Sequence, residues 1–191
     1  MNLTTCSAIA AFVLLSSGNS LAAEFQIKGH RLGEDESSAC QDGKVVRLQE
    51  LLTTIGVGGF DFPATSCDVR FDSVAGLKPS EPAKLLFWNG ALIRIVIRFD
   101  GLDWSDAAGF RTAFTDLYGK RPSLKRSPPF MTESWRNGGQ SLQLEWTTRL
   151  KSVGVYLTDD RAWEEYERAR RRADGAVEAA EKKRRSRDVL N

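Results

Sequence analysis

The sequence is poor in the side chains that most often carry enzyme chemistry. It holds one histidine, His30, and three cysteines among 191 residues. A structural zinc site needs four ligands, and the C-x-x-C spacing of a redox pair does not occur. The motifs G-x-S-x-G and H-E-x-x-H and the P-loop are also missing, and the glycines of 56–59 lack the spacing of a dinucleotide-binding loop. We therefore expect no metal, no cofactor and no catalytic residue, with His30 in a surface turn.

Charge is missing from the start of the chain, where no charged side chain precedes Glu24. Residues 8–15 form an apolar run that is too short to span a bilayer. Small residues at 20 and 22 follow with the A-x-A-like spacing of a signal-peptide cleavage site. A buried N-terminal helix is the alternative. The pattern predicts a signal peptide over 1–23 and a periplasmic or secreted mature chain.

Export leaves two cysteines in the mature chain, because Cys6 is removed with the signal peptide. Cys40 and Cys67 can form one pairing only, and cysteines of exported proteins are usually oxidised. We therefore expect a disulfide bond between Cys40 and Cys67.

A β-hairpin is indicated at Asn89-Gly90, a dipeptide that suits a type I′ turn between strands. Strict alternation in the second strand divides its side chains between two faces. One face is predicted to carry Ile93, Ile95, Ile97 and Phe99, and the other Leu92, Arg94, Val96 and Arg98. Guanidinium groups are costly to bury unpaired, so the second face is expected to meet solvent or a partner.

Helix and strand signals alternate over the rest of the chain. Helical spacing is present at 45–52 and again at 110–118, with Asp103 or Ser105 as the N-terminal cap and Gly119 as the end of the second helix. Three alternating runs, at 130–136, 141–146 and 152–158, predict half-buried antiparallel strands. In each half of residues 24–159, one predicted helix is thus followed by three predicted strands. These features predict an α+β domain whose sheet has helices on one face.

The chain resembles the β-lactamase-inhibitor-protein-like architecture, which also occurs in small lipoproteins of the outer-membrane assembly machinery. It is similar as well to small exported bacterial proteins of uncharacterised function. Their mature chains open with a Phe-x-Ile-x-Gly-x-x-Leu-Gly segment, here "FQIKGHRLG", and contain a Tyr-Gly-x-Pro-like helix end, here "YGKRP". The resemblance covers residues 25–158 and implies tandem α-β-β-β units. Unlike the lipoproteins, this chain has no anchoring cysteine after the signal peptide.

The resemblance also implies a non-catalytic role, as an inhibitor or adaptor that binds an envelope protein through the sheet face. The candidate binding residues are Arg94, Arg98, Gln143, Glu145 and Tyr156. A polar sheet face that simply meets water is the alternative interpretation. A small-ligand or enzyme site near the Cys40 to Cys67 loop is a second functional hypothesis.

Residues 160–191 are predicted to form a long charged helix with ten Lys or Arg and eight Asp or Glu. The difference of two positive charges equals the net charge of the whole chain, +2. Small residues and Tyr166 recur along it at helical spacing. The basic run 182–187 suits an anionic membrane surface, but it lacks the interleaved aromatic residues that bind nucleic acid. We expect a solvated helix end and no nucleic-acid partner.

The signal-peptide hypothesis predicts the N-terminus of the exported protein. Mass spectrometry of periplasmic or secreted material should find a chain that begins near Ala23 or Glu24. Recovery of protein that still begins at Met1 would contradict export.

Overall fold

The computed structural model describes residues 25–41, 43–48, 62–102, 104–119, 123–147, 149 and 151–188. These residues form an α+β fold with a large antiparallel sheet. The strands are β1 (Gln26–Ile27), β2 (His30–Arg31), β3 (Val46–Arg47), β4 (Ala64–Val69), β5 (Ala83–Trp88), β6 (Ala91–Asp100), β7 (Ser123–Ser127), β8 (Phe130–Asn137), β9 (Gln140–Thr147) and β10 (Ser152–Asp159). The helices are α1 (Glu36–Ala39), α2 (Trp104–Tyr118) and α3 (Asp160–Asp188).

The main sheet has the order β3-β4-β5-β6-β10-β9-β8-β7, and β1 pairs with β2 separately. Strands β3 to β6 form one half of this sheet and strands β7 to β10 form the other, with β3 and β7 at the edges. The two halves meet at the β6–β10 pair. The edge strands β3 and β7 were not predicted. Val46 and Arg47 belong to a strand and not to the predicted helix, whose Leu51 and Leu52 lie outside the described residues.

The main core lies between α2 and one face of the sheet, which we call the inner face. The α2 stripe contributes Phe110, whose ring centroid is 4.8 Å from that of Phe99, and Phe114, which meets Trp135 edge-on at 5.7 Å. Such aromatic pairs stabilise a core beyond their buried area. Helix α2 ends at Tyr118, and Gly119 adopts φ +64°, as predicted for a helix stop.

A β-bulge changes the predicted division of side chains in β6. Leu86 pairs with Arg94 and Phe87 with Leu92, so Ile93 is an extra residue without a partner in β5. Leu92 is therefore buried in the main core, whereas Ile93 is buried on the opposite side, which we call the outer face. The strict alternation predicted for Leu92 and Ile93 is wrong because the bulge shifts the register by one residue.

Helix α3 lies on the outer face over β6. Its Tyr166 and Ala169 are buried against Ile93, Ala64 and Phe62. Ala173 is also buried, so the small-residue stripe of this helix is its sheet-facing side. The remaining helix surface is rich in charged, exposed residues, such as Arg161 and Arg171.

The expected disulfide joins Cys40, which follows α1, to Cys67 in β4, with 6.2 Å between their Cα atoms. The bond links the N-terminal segment to the main sheet. That segment also contributes Phe25 and Ile27 to the main core. The ring of Phe25 meets Tyr118 of α2 edge-on at 4.6 Å.

Removal of this disulfide should destabilise the protein. The two cysteines are 27 positions apart, and closing a loop of that length restricts the unfolded chain by about 3.5 kcal/mol in the chain-entropy model. Urea unfolding of the double variant Cys40→Ala with Cys67→Ala should show that the free energy of unfolding falls by about this amount. Non-reducing peptide mapping should recover the Cys40–Cys67 crosslink, and two freely alkylated thiols in native protein would contradict it.

Candidate functional site

Strand register places the five candidate binding residues on the outer face. In the central strands Arg98 lies opposite Gly154, and Gly154 lies opposite Glu145. Tyr156 lies opposite Gln143 one step further along. Side chains on alternate residues of a strand share a face, so these groups form adjacent rows across β6, β10 and β9.

Arg94 is on the same face but is covered by α3. Its guanidinium carbon is 4.1 Å from the ring centroid of Trp163 and 4.9 Å from that of Tyr156. Its Nε is buried without a hydrogen-bond partner among the described residues. Burial lowers the pKa of Arg94 from its usual value, although an arginine side chain remains charged in a protein. The expectation of an exposed Arg94 is therefore corrected, because two aromatic rings enclose the charge.

The uncovered part of this surface comprises Arg98, Gln143, Glu145 and Tyr156, which we call the open half. The Arg98 side chain is 63% exposed and lies 3.6 Å from the Glu81 carboxylate. Exposed ion pairs of this kind contribute little to stability, so Arg98 is available to a partner at small cost.

Tyr156 lies across the surface of the sheet because residue 154 is glycine. A Cβ atom built on Gly154 would be 2.6 Å from the Tyr156 hydroxyl oxygen and 2.8 Å from the ring. The hydroxyl donates a long, 3.5 Å hydrogen bond to Oε1 of Glu145. Burial, with Glu145 as a second cause, raises the pKa of Tyr156, so the hydroxyl is neutral at physiological pH. Gly154 was not predicted, although a glycine inside a strand pattern signals such a close approach.

A pocket of about 300 Å³ opens beside Tyr156 and Gly154. Arg98 and Glu145 bring opposite charges to its lining, and Phe130, which is 41% exposed, adds an apolar edge. Thr147 also lines the pocket, and its Oγ1 is buried without a hydrogen-bond partner in the described residues. The pocket therefore offers a cation, several acceptors and aromatic rings within a space large enough for one side chain.

A second cavity lies beside the disulfide, in the region of the second functional hypothesis. Its volume is about 550 Å³, and its lining includes His30, Gln41, Asp68 and Arg70. Nδ1 of His30 is 3.3 Å from the Glu34 carboxylate. His30 belongs to β2 and lies at the edge of this cavity, and not simply in a surface turn.

In comparisons with known proteins, no family model, no curated protein and no solved structure matches the chain. Across the described residues, no three His, Cys, Asp or Glu side chains form a group that could hold a metal ion. None of the described helices combines the length and apolar character needed to cross a membrane.

The different settings of the two arginines predict different effects of replacing them. Arg94→Ser should lower the free energy of unfolding by about 1 to 2 kcal/mol, because it removes a guanidinium enclosed by two rings. Arg98→Ser should change it by less than about 1 kcal/mol, as exposed substitutions usually do. Urea unfolding of both variants measures the difference, and equal effects would contradict the covering of Arg94 by α3.

Proposed function

We propose that this chain is an exported, non-catalytic binding protein that holds a protein partner of the bacterial envelope on the open half of the outer face. The observation that carries the proposal is Tyr156, which lies across Gly154 between Arg98 and Glu145 beside the 300 Å³ pocket. Tyrosine and arginine are enriched among the residues that contribute most to protein–protein binding. A partner side chain inserted into the pocket would find both.

Electrostatic pairing would orient the partner. Arg98 is exposed and Glu145 is half-buried, so a partner with an acidic group over Arg98 and a donor over Glu145 would match both charges. Complementary charges of this kind set the orientation and the rate of association more than the affinity. The buried hydroxyl of Thr147 would gain a partner when the pocket is filled, which favours a polar group at the tip of the inserted side chain.

The proposed location rests on the disulfide and on the apolar N-terminal run. Disulfides persist in oxidising compartments such as the periplasm, and the Cys40–Cys67 bond fits this setting. The predicted signal peptide lies outside the described residues, so its support comes from the sequence pattern alone.

The order of the sheet supports the proposed tandem architecture and its likeness to the inhibitor-type proteins. The sheet order is symmetrical about the β6–β10 pair, with four strands on each side. Helix α2 stands between the two halves in the chain, as a repeat of helix followed by strands requires. In this arrangement the charged helix α3 follows the second unit in the chain. It covers the outer face over the strands of the first unit.

A second candidate function is the binding of a small ligand, or an enzymatic reaction, at the cavity beside the disulfide. The observation that favours it is a 550 Å³ cavity whose lining combines His30, Asp68 and Arg70. Convergent polar groups in a cavity of this size are typical of ligand sites. A small molecule whose thermal stabilisation is lost in Asp68→Ala but kept in Gly154→Ala would support this function over the first.

The main proposal predicts that Gly154→Ala weakens binding without unfolding the protein. The added methyl group would displace the Tyr156 ring from its place on the sheet, whereas alanine is compatible with a strand. Immobilised mature protein should retain a partner from envelope extracts, and the variant should retain it about tenfold less. The free energy of unfolding should change by less than about 1 kcal/mol. Quantitative mass spectrometry of the retained proteins measures the loss.

Matched controls distinguish the site from general effects. Gly109→Ala makes the same change at an exposed position of α2 where a new Cβ meets no atom within 4 Å. Arg98→Glu should weaken retention, and Arg126→Glu on the exposed edge strand β7 should not. If all four variants retain the same proteins as the unaltered chain, the open half is not a binding surface.

A further inference from the structure

A cleft with an excess of positive charge lies where α3 passes the tip of the β5–β6 hairpin. Its volume is about 680 Å³, and its lining residues are Trp88, Asn89, Glu165, Arg168, Arg171 and Arg172. The cleft is separate from the open half, because it lies at the opposite end of β6 and beyond the part of the outer face that α3 covers. Three guanidinium groups against one carboxylate make it strongly basic.

The arginines of this cleft differ from other arginines of the same helix in their ion pairing. Arg161 pairs with Glu165 at 3.4 Å, and Arg185 pairs with Glu181 at 3.6 Å. Arg170 lies between Glu167 at 3.2 Å and Asp174 at 3.7 Å. For Arg168, Arg171 and Arg172, by contrast, no carboxylate in the described part of the chain lies within ion-pair distance. The cleft thus brings together three arginines that have no ion pair among the described residues.

The one carboxylate in the lining does little to neutralise them. Glu165 is half-buried, and its carboxylate pairs with Arg161 on the preceding turn of the helix. Residues 165, 168 and 172 follow the three-to-four spacing that places side chains along one side of a helix. Three like charges held on one short stretch repel one another, and a bound anion would relieve that repulsion.

The other wall of the cleft is the tip of the β5–β6 hairpin. The Trp88 ring meets Tyr166 edge-on at 5.7 Å and Phe62 at 5.5 Å. Asn89 begins the hairpin turn with φ +53°, and its backbone N–H donates a 3.0 Å hydrogen bond to the carbonyl of Pro63. The aromatic contacts join this wall to α3, so the helix that carries the arginines packs against the hairpin without a ligand.

We infer that this cleft binds an anion that carries phosphate groups. Guanidinium groups bind phosphate oxygens through paired hydrogen bonds, and three of them suit a group with two or more negative charges. The Asn89 side chain adds a neutral donor to the lining. A free organic phosphate and the phosphate headgroup of a lipid share this chemistry.

Isothermal titration calorimetry with inorganic pyrophosphate tests the shared chemistry. The mature chain should bind it at low ionic strength, and binding should weaken as salt is added. The triple variant Arg168→Gln, Arg171→Gln, Arg172→Gln should lose about tenfold or more in affinity, since it removes charge-assisted hydrogen bonds. The affected side chains are exposed, so its helix content and thermal midpoint should stay near those of the unaltered chain.

A second triple variant of equal charge provides the control. Arg136→Gln, Arg170→Gln, Arg185→Gln removes three arginines outside the cleft that already pair with carboxylates of α3, and pyrophosphate affinity should fall by less than about threefold. Equal losses in the two triple variants would overturn the proposal, because the attraction would then come from the overall charge of the chain. Absence of pyrophosphate binding by the unaltered chain at low salt would overturn it as well. The single variant Arg171→Gln repeats the test should the triple variant fold poorly.

Vesicles distinguish the two sources of phosphate. Phosphatidylcholine vesicles that contain phosphatidic acid as a minor lipid should sediment the protein if the ligand is a headgroup, and pyrophosphate should then release it. Pyrophosphate binding without sedimentation assigns the cleft to a free phosphate. Both results support the inferred site. Sedimentation that persists in the Arg168, Arg171, Arg172 variant would contradict it.

Discussion

One extra residue in β6 determines which part of the outer face is covered. The bulge at Ile93 places Leu92 in the main core and Ile93 on the outer face. Without it, strict alternation would place Ile93 in the main core and Leu92 on the outer face. Ile93 instead joins Ala64 and Phe62 to form the surface on which Tyr166 and Ala169 of α3 are buried. Burial of this patch is the driving force that holds an otherwise charged helix on the sheet.

The position of α3 accounts for both candidate surfaces. Where the helix crosses β6, Trp163 encloses Arg94 against Tyr156, so that end of the outer face is closed. The other end keeps Arg98 and the pocket beside Gly154 accessible. Past the aromatic cluster, the same helix brings Arg168, Arg171 and Arg172 to the hairpin at Trp88. The proposed protein-binding face and the proposed anion cleft are therefore separated by one packed helix.

Local patterns predicted several of the elements, because those patterns depend on residues close in sequence. The Asn89-Gly90 hairpin, the α2 stop at Gly119 and the Cys40–Cys67 bond each follow from a short motif or from a single possible pairing. The face shared by Arg98, Glu145 and Tyr156 also followed from alternation. The bulge was not predictable, since Leu92 and Ile93 are both apolar and either one suits a core position. The cover over Arg94 was missed for a related reason, because Trp163 reaches it from a helix 69 positions later in the chain.

The docking of α3 on the outer face is the central claim, and a double-mutant cycle between Arg94 and Trp163 tests it most directly. Urea unfolding of Arg94→Ser, Trp163→Leu and the combined variant gives the coupling free energy of the two side chains. A guanidinium 4.1 Å from the centre of the indole ring predicts a favourable coupling of about 0.5 to 2 kcal/mol. Strictly additive effects would mean that the two groups do not meet, and would contradict the division of the outer face into a covered and an open half.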